Sequence, residues 1–518
     1  MSAGLAAFLA LAHAQPRPAK IPLVRHVTAD LDTPVAAFWK LRRGSHSFLL
    51  ESVEGGEKLA RYTLLGTEPR AILSARGREL VTEIPGHAPT STFPDHPLGA
   101  LGAILDRFEG GPGRAGPSLG LDVATGLEVA LPRFYGGLVG AISYDAVRQV
   151  ERLPDRHQSP TDPPELVFLE TRELLVWDNV AHRAMLVHLV DVSEGIALEA
   201  TYRDAVASLD ALQARLEGPL PPLPTSPSAT PEAVTVSMDD LRYAAVVDEA
   251  RELIAAGDII QVVLSRRFTQ ARNGLHPFLV YRTLRGLNPS PFMFYLELGE
   301  RTLVGASPEL LVRRTASTRE VEVRPIAGTR PRGKTPEEDE RLMAELRADP
   351  KEIAEHVMLL DLGRNDLGRI AETGSVTVDA VMVFERYSHV THLVSHVRAT
   401  ARPDVGPAAT VAATFPAGTL SGAPKIRAME IIDALEDHRR GTYGGAVGTV
   451  GIDGSLDLAI AIRTLAADPE TFTVQAGAGI VWDSVGQTEA DETRSKARAV
   501  LTAIDRARAA FAPKEVSR

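Results

Sequence analysis

A proline-rich stretch near the middle of the chain sets the first limit on its fold. Six prolines stand among serines and threonines in residues 217–231. Proline has no backbone N–H and a fixed φ angle, so this stretch forms neither a continuous helix nor a paired strand. We therefore predict an exposed linker over residues 217–235. It separates an N-terminal region, 21–216, from a C-terminal region, 236–512.

Both regions mix helical and strand patterns. Short alternating or continuous apolar runs predict strands, and apolar residues at helical spacing predict helices. The predicted strands include 165–170, 173–177, 259–268, 444–452 and 471–482, and the predicted helices include 194–216, 238–256, 336–348, 351–362, 422–435 and 489–510. Because the two patterns do not alternate strictly, we expect an α+β fold rather than a doubly wound parallel sheet.

Charge and hydropathy exclude two classes of partner. The formal net charge of −11 offers no attraction to nucleic acid or to an anionic membrane. No uninterrupted apolar run reaches about 18 residues, so we predict no membrane span. Residues 4–14 are apolar and imitate a secretory signal, but residues 1–3 carry no Lys or Arg. We therefore expect residues 1–20 to be the ragged N-terminus of a cytoplasmic protein.

Two pairs of acidic residues share one spacing. Glu352 and Glu355 are three residues apart in a predicted helix, so they lie on one face, and Glu489 and Glu492 repeat that spacing. Four carboxylates that face one another repel unless a cation lies between them. Mg²⁺ suits such a site, because it prefers oxygen ligands and keeps waters that outer carboxylates can hold. The alternative is that both pairs are solvated faces of surface helices.

Glycine-rich strings at 443–448 and 475–481 are typical of contact with an anion; the alternative is that each string is a tight turn and each nearby cation an ordinary surface charge. In the second string, Gly477 and Gly479 allow backbone N–H groups to approach an anion closely. Two cations stand in otherwise apolar or small-residue surroundings, Arg463 and Lys496. Arginine can hold a carboxylate through two parallel hydrogen bonds.

Residues 328–335 match the P-loop pattern G-x-x-x-x-G-K-[ST]. A true P-loop leads from a buried strand into a helix whose first turn holds the Lys and the Thr. Here residues 336–340 read Pro-Glu-Glu-Asp-Glu, which places carboxylates where phosphates would bind. The context therefore argues against a nucleotide site.

Nine short motifs occur in order along almost the whole chain. They are residues 49–52, 132–140, 143–145, 257–261, 305–309, 324–330, 361–366, 416–425 and 475–479. Together they resemble the motifs of the chorismate-utilising enzymes. The resemblance implies a fold in which N- and C-terminal parts contribute to layered antiparallel β-sheets, with helices packed outside.

Two positions separate the branches of that family. Relatives that add water to chorismate carry a Lys where this chain has Gln261, and a glutamine does not deprotonate water. Aminodeoxychorismate synthases typically carry a nucleophilic Lys where this chain has Ala327. The chain thus resembles the large subunits of anthranilate synthase, which are Mg²⁺-dependent lyases. The alternatives are an aminodeoxychorismate or aminodeoxyisochorismate synthase subunit that releases no pyruvate, and a catalytically silent sensing or scaffold subunit.

The resemblance also implies roles for individual residues. Glu355 and Glu492 would hold Mg²⁺ directly, and Glu352 and Glu489 would act through water. Glu309 would protonate the leaving 4-hydroxyl of chorismate, and His392 would take the ring proton. Gln261 suits a nucleophile that is already basic, namely ammonia. The substrate would be bound by Gly328, Thr329, Thr419, Tyr443, Arg463, Gly477, Ala478, Gly479 and Lys496.

Partners and regulation follow from the same resemblance. The family's glutamine amidotransferase uses a Cys nucleophile, and this chain contains no cysteine. We therefore expect a separate glutaminase subunit that supplies ammonia, and so a hetero-oligomer. The absence of cysteine also excludes disulfides and suits a reducing compartment. An allosteric site for L-tryptophan is implied at Leu50, Glu51, Ser52, Pro291, Phe292 and Met293.

Overall fold

The structure is a computed structural model that describes residues 2–15, 17–52, 61–108, 119–159, 162–386 and 390–513. Its α-helices are α1 (Ala3–Ala14), α2 (Pro34–Leu41), α3 (Gly99–Leu105), α4 (Leu198–Glu217), α5 (Asp240–Ala255), α6 (Pro277–Leu287), α7 (Pro336–Ala348), α8 (Pro350–Gly368), α9 (Pro407–Thr414), α10 (Lys425–Leu435) and α11 (Gly486–Phe511). Two short 3₁₀ helices span Tyr144–Gln149 and Gly418–Leu420.

The strands are numbered in chain order. They are β1 (Ala19–Val27), β2 (His46–Glu51), β3 (Tyr62–Thr67), β4 (Ala71–Arg76), β5 (Glu79–Glu83), β6 (Thr90–Thr92), β7 (Leu119–Asp122), β8 (Glu128–Ala130), β9 (Gly137–Ile142), β10 (Leu166–Thr171), β11 (Glu173–Asp178), β12 (Arg183–Val192), β13 (Thr235–Val236), β14 (Gln261–Ala271), β15 (Phe292–Leu298), β16 (Arg301–Ser307), β17 (Leu310–Thr315), β18 (Glu320–Val323), β19 (Ile326–Pro331), β20 (Thr377–Arg386), β21 (Val390–Thr400), β22 (Gly422–Ala423), β23 (Ala446–Gly451), β24 (Leu456–Ile460), β25 (Thr464–Ala467) and β26 (Thr471–Ile480).

These strands form two large sheets. The 14-stranded sheet runs β13-β14-β26-β25-β16-β15-β2-β3-β11-β12-β1-β7-β8, with β22 paired to β14. The 12-stranded sheet runs β19-β21-β18-β17-β24-β23-β9-β10-β4-β5-β6, with β20 paired to β21. Among the described strands every pair is antiparallel except β1 with β7. The expected α+β fold with antiparallel sheets is confirmed.

Each sheet contains strands from both sides of the proline-rich stretch. In the larger sheet β2 pairs with β15, with Glu51 opposite Met293. In the smaller sheet β9 pairs with β23, with Gly140 opposite Gly448. Because backbone hydrogen bonds join the two regions in both sheets, the N- and C-terminal parts are intertwined.

The core has three layers. One apolar cluster contains residues of both sheets, such as Phe48 and Val139, and so lies between them. A second packs helices α2, α6 and α11 onto the outer face of the larger sheet. A third packs α3 and α9 onto the smaller sheet. Helices therefore cover the sheets from outside, and within the described residues none of them is long and apolar enough to cross a membrane.

The expected ragged N-terminus is wrong for most of residues 1–20. Ser2 caps α1 by accepting a hydrogen bond from Leu5 N, and β1 begins at Ala19. Phe8 and Ala12 are 0% and 1% exposed, and the Phe8 ring lies 5.3 Å from that of Tyr202 on α4. The apolar run that imitates a secretory signal is thus the buried side of a helix.

One predicted helix boundary shifts for a local reason. The helix predicted from residue 422 begins at Lys425, because Gly422 and Ala423 pair with β14 instead. The chain between α4 and β13 forms no regular helix or strand, as expected from its prolines. It is attached to the surface at Ser226, which is fully buried and donates its N–H to Phe511 O.

Candidate active site

The predicted site residues come from both sheets and from two helices. Gln261, Gly477 and Gly479 lie on paired strands β14 and β26 of the larger sheet. Thr329 and His392 lie opposite each other on β19 and β21 of the smaller sheet. Helices α8 and α11 carry the four glutamates. The site therefore forms where the two sheets and these helices meet.

Helix α8 presents Glu352 and Glu355. Asp349 caps the helix by accepting hydrogen bonds from the N–H groups of Lys351 and Glu352, and Pro350 occupies the first turn. Gln261 Nε2 lies 3.4 Å from Glu355 Oε1. Burial raises the pKa of Glu355, and the charges of Glu352 and Glu492 raise it further.

Helix α11 brings the second acidic pair to the same place. Glu489 is 5% exposed, and burial together with the charge of Glu492 raises its pKa. Lys496, one turn later, pairs with Glu492 Oε1 at 2.7 Å and donates to Gly477 O at 2.9 Å. The alternative in which both glutamate pairs are simply solvated helix faces does not hold for Glu489.

The four carboxylates are close enough to influence one another, which is the arrangement that a divalent cation stabilises. In this structure the four carboxylate groups do not converge on one position where a single ion would contact all of them. Arg330 donates to Glu352 Oε1 at 2.7 Å and also pairs with Asp349, while Lys496 holds Glu492. Within the described residues no three acidic or histidine side chains are arranged as a metal site. The donor chemistry nevertheless fits Mg²⁺, because every candidate ligand is a carboxylate oxygen.

The glycine-rich strand β26 forms a flat surface beside Tyr443. A Cβ atom added to Gly477 would lie 2.7 Å from the Tyr443 hydroxyl, and one added to Gly479 would lie 2.7 Å from Gln261 Nε2. Gly477 requires glycine, because its added Cβ would also lie 2.6 Å from the backbone oxygen of Leu264, whereas at Gly479 the Gln261 side chain would have to move. The side chain of Ala478 points to the opposite face, into an apolar cluster, so this residue offers only its backbone.

Arg463 supplies a cation next to that surface. Its backbone adopts φ +50°, and its pKa is lowered by burial, against the charges of Tyr443 and Glu492. Among the described residues its guanidinium forms neither an ion pair nor a hydrogen bond. A half-buried guanidinium without such a partner favours an anionic ligand.

Glu309 is a carboxyl group kept neutral by its surroundings. It is 7% exposed, and burial raises its pKa to about 8, although Thr419 and Lys496 act in the opposite direction. Thr419 donates its hydroxyl hydrogen to Glu309 Oε1 at 3.0 Å. The Glu309 carboxyl therefore holds a proton at neutral pH.

His392, unlike Glu309, is ready to accept a proton at neutral pH. Burial, followed by the charge of Arg463, lowers its pKa to about 4, so the imidazole is neutral at pH 7. Its Nδ1 lies 2.8 Å from Thr329 Oγ1. Gly328, at φ +80°, leaves room for the Glu352 carboxylate, which an added Cβ would approach to 3.2 Å. Residues 387–389, which shortly precede His392, lie outside the described residues.

The P-loop pattern at 328–335 does not form a phosphate cradle. Its first half is strand β19. The N–H of Gly333 is bound by Asp339 Oδ1 at 2.9 Å, and that of Lys334 by Glu338 Oε2 at 2.8 Å. Backbone groups that would hold a phosphate are thus occupied by carboxylates at the start of α7.

The six residues predicted to bind tryptophan surround one cavity of about 800 Å³ between the sheets. They are Leu50, Glu51, Ser52, Pro291, Phe292 and Met293. Ser52 Oγ is buried without a hydrogen-bond partner among the described residues. Glu51 is bound by the Tyr281 hydroxyl and by Arg285, whose Nε donates at 2.9 Å. The cavity thus contains polar atoms suited to an amino acid.

Sequence reasoning assigned no role to Arg330, Glu436 or Arg440. Arg330 lies in one of the nine motifs, but only the fold shows that it reaches Glu352. Glu436 and Arg440 are four residues apart in the charged run 436–440 before Tyr443, and nothing in that run sets these two apart from the charged residues between them.

Residues 119–502 match the family of chorismate binding enzymes. The chain is 42% identical over 507 residues to anthranilate synthase component 1 of Synechocystis, with 93% of this chain and 96% of that protein covered. It is 43% identical to the protein of the same name from Thermus thermophilus, with 94% and 98% covered.

Two solved structures share its fold. The crystal structure of anthranilate synthase component I from Streptococcus pneumoniae matches with a TM-score of 0.69 at 32% identity, covering 92% of this chain and 98% of that one. The menaquinone-specific isochorismate synthase from Escherichia coli matches with a TM-score of 0.69 at 17% identity, covering 97% and 99%, and supports the fold alone. The chain therefore belongs to the chorismate-binding enzymes, among the anthranilate synthase component 1 proteins.

Proposed function

We propose that the chain converts chorismate and ammonia to anthranilate and pyruvate, the first committed step of tryptophan biosynthesis. The main support for this proposal is that, at neutral pH, the Glu309 carboxyl holds a proton whereas the His392 imidazole is neutral and can accept one. The pKa of Glu309 is raised to about 8 and that of His392 is lowered to about 4. At neutral pH one group can donate a proton and the other can accept one.

Substrate binding is assigned to the glycine-rich strand and its neighbours. Chorismate has two carboxylates. The Arg463 guanidinium, which lacks a partner among the described residues, would hold one of them together with the Tyr443 hydroxyl and the backbone of Gly477 and Gly479. Lys496, already hydrogen-bonded to Gly477 O, adds positive charge at that position. In this proposal the ring would lie between Glu309 and His392.

The reaction then proceeds in two steps. In the first, ammonia attacks C2 of the ring while the C4–O bond breaks, and Glu309 donates its proton to the departing hydroxyl, which leaves as water. The new amine then loses one proton, which restores the Glu309 carboxyl. In the second, His392 removes the proton from C2 while the bond between ring C3 and the ether oxygen breaks, and the departing enolpyruvate takes up a proton to become pyruvate. Pyruvate leaves and the ring becomes aromatic. Thr419 and Thr329 orient the acid and the base through hydrogen bonds of 3.0 and 2.8 Å.

Mg²⁺ is assigned to the glutamates of α8 and α11. Glu355 and Glu492 would hold it directly, with Glu352 and Glu489 acting through water; when bound, it supplies positive charge for the second carboxylate of the substrate. Support comes from the raised pKa values of Glu355 and Glu489, each increased by a neighbouring carboxylate. Arg330 and Lys496 would have to release Glu352 and Glu492.

Partner and regulation complete the proposal. A glutamine amidotransferase subunit would supply ammonia, because this chain contains no cysteine for that chemistry, and the pair would work in the cytoplasm. L-Tryptophan would bind in the cavity of about 800 Å³ and favour a less active state. Support comes from the Ser52 hydroxyl, which is buried without a hydrogen-bond partner in the described part of the chain, and from the buried Glu51 carboxylate in that cavity.

The proposal is tested by mixing the purified chain with chorismate, MgCl₂ and ammonium at alkaline pH and following anthranilate fluorescence. We expect fluorescence to rise, to stop when EDTA is added and to fall with added tryptophan. Glu309→Gln, which keeps the side-chain shape, is the matched control and should abolish the signal. Consumption of chorismate by the unmodified chain without anthranilate would instead indicate an aminodeoxychorismate-type reaction.

A further inference from the structure

Glu436 and Arg440 form an ion pair next to the candidate active site. Neither residue has a part in the reaction proposed above. Both side chains are 1% exposed. Arg440 donates from its Nε to Glu436 Oε2 at 3.0 Å and from a terminal nitrogen to Oε1 at 2.6 Å. Removing two charges from water costs roughly as much as their attraction provides, so such a pair contributes little net stability. The residues that contact this ion pair indicate a role other than stabilising the fold.

Glu436 fixes strand β14 where that strand supports the glycine-rich surface. Its Oε1 accepts hydrogen bonds from both the N–H and the hydroxyl of Ser265, each at 2.8 Å. Ser265 stands opposite Gly477 in the β14–β26 pair, and its hydroxyl also accepts from Gln475 Nε2 at 2.8 Å. The position of the glycine-rich surface thus depends on Glu436.

Arg440 connects two further parts of the site. It donates to Leu420 O and to Val263 O, both at 2.6 Å. Leu420 follows Thr419, the hydrogen-bond donor to Glu309. The guanidinium carbon also lies 5.4 Å from the centre of the Tyr443 ring and 4.7 Å from that of Tyr144. The Arg440 guanidinium therefore contacts three parts of the site. These are the turn that carries Thr419, strand β14, and Tyr443, which is proposed to bind the substrate.

We propose that the Glu436–Arg440 pair is the positioning unit of the chorismate site. It holds Tyr443, the Thr419–Leu420 turn and β14 in one fixed arrangement before substrate binds. The inference rests on the proposed function. The role requires a guanidinium. A lysine ammonium would donate all of its hydrogen bonds from one nitrogen atom and would not stack on the ring of Tyr144 or Tyr443.

The test compares Arg440→Lys with Arg508→Lys. Arg508 is 0% exposed on α11 and donates to the carbonyl oxygens of Ala271 and Arg272, so it is a buried arginine bound to backbone away from the site. We expect Arg440→Lys to raise the KM for chorismate by about tenfold or more. Arg508→Lys should leave KM unchanged, even if both substitutions lower the melting temperature.

Amide hydrogen exchange gives a second readout that needs no turnover. In Arg440→Lys, exchange should become faster at residues 418–421, 443–445 and 475–479, and in Arg508→Lys it should not. If Arg440→Lys does not fold, Glu436→Gln provides the same comparison, since it keeps the shape but weakens the pair. Unchanged KM and unchanged exchange in these segments would overturn the inference. An inactive unmodified chain would contradict the proposed function, and the exchange pattern would still decide the role of the pair.

Discussion

Thr419 donates a hydrogen bond to Glu309 at 3.0 Å inside a pocket that leaves Glu309 only 7% exposed. An ordinary glutamate is ionised at pH 7, whereas burial raises the pKa of this one to about 8. Thr419 alone would favour the charged carboxylate, so burial decides the protonation state. The hydrogen bond orients the acid rather than ionising it.

This protonation state predicts the pH dependence of the reaction. The proposed role requires protonated Glu309, so kcat/KM for chorismate, which reports the free enzyme, should fall as pH rises through about 8. It also requires neutral His392, whose pKa of about 4 predicts no loss of activity on that account between pH 7 and pH 5. The measurement is kcat/KM against pH with the concentration of free ammonia, rather than ammonium, held constant. A rate that stays constant to pH 10 would exclude Glu309 as the acid.

His392→Ala should separate the two steps. Chorismate should still be consumed and the amino intermediate should accumulate, because Glu309 acts before His392. Anthranilate formation should slow by about 100-fold or more, the usual loss when a general base is removed. Chromatography of the reaction mixture detects both compounds. His87→Ala, an exposed histidine, is the control, and prompt anthranilate release by His392→Ala would contradict the assignment.

Glu489→Gln should weaken metal binding without removing a direct ligand. A carboxylate that holds a metal-bound water typically changes metal affinity by about 10- to 100-fold when it is replaced. Binding of Mn²⁺ as a substitute ion, followed by electron paramagnetic resonance, measures the change independently of activity. Glu199→Gln, an exposed glutamate on α4, should have no effect. Equal Mn²⁺ affinity in both variants would argue against the glutamate site.

Ser52→Phe should relieve inhibition by tryptophan. The Ser52 hydroxyl is buried without a partner among the described residues, and a phenyl group there would fill part of the cavity. The tryptophan concentration for half inhibition should rise by about tenfold or more, equivalent to about 1.4 kcal/mol of binding free energy. Ser45→Phe makes the same substitution on an exposed residue outside the cavity. Unchanged inhibition in Ser52→Phe would remove the tryptophan assignment.

Helix α1 should contribute to stability rather than to catalysis. Phe8 is fully buried against α4, so Phe8→Ala should lower the free energy of unfolding by about 3 kcal/mol. Leu31→Ala, at a residue 97% exposed, should change it by less than about 0.5 kcal/mol. Urea unfolding followed by circular dichroism measures both. Equal stability of the two variants would mean that α1 does not pack as described.

Local patterns in the sequence predicted local structure well. The 352–355 and 489–492 spacings placed both acidic pairs on helices, and the alternating run at 471–482 became β26. Caps explain part of this success, since Thr335 and Pro336 begin α7 where the pattern predicted it. Such signals depend only on residues close together in the chain.

Long-range relationships were beyond these patterns. The pairing of Glu51 with Met293 joins strands more than 200 residues apart, and only the family resemblance indicated that they share a site. The ion pair of Arg330 with Glu352 depends on how β19 meets α8. The apolar run in α1 was ambiguous for a related reason, because its burial requires α4, which lies far along the chain.

We propose that one chain carries out both amination and pyruvate elimination. The direct measurement is the product ratio from chorismate, MgCl₂ and ¹⁵N-labelled ammonium, determined by mass spectrometry with the purified chain alone. We expect ¹⁵N-anthranilate and pyruvate in equal amounts, matching the chorismate consumed. Aminated product without pyruvate would contradict it and would place the chain with the synthases that stop before elimination.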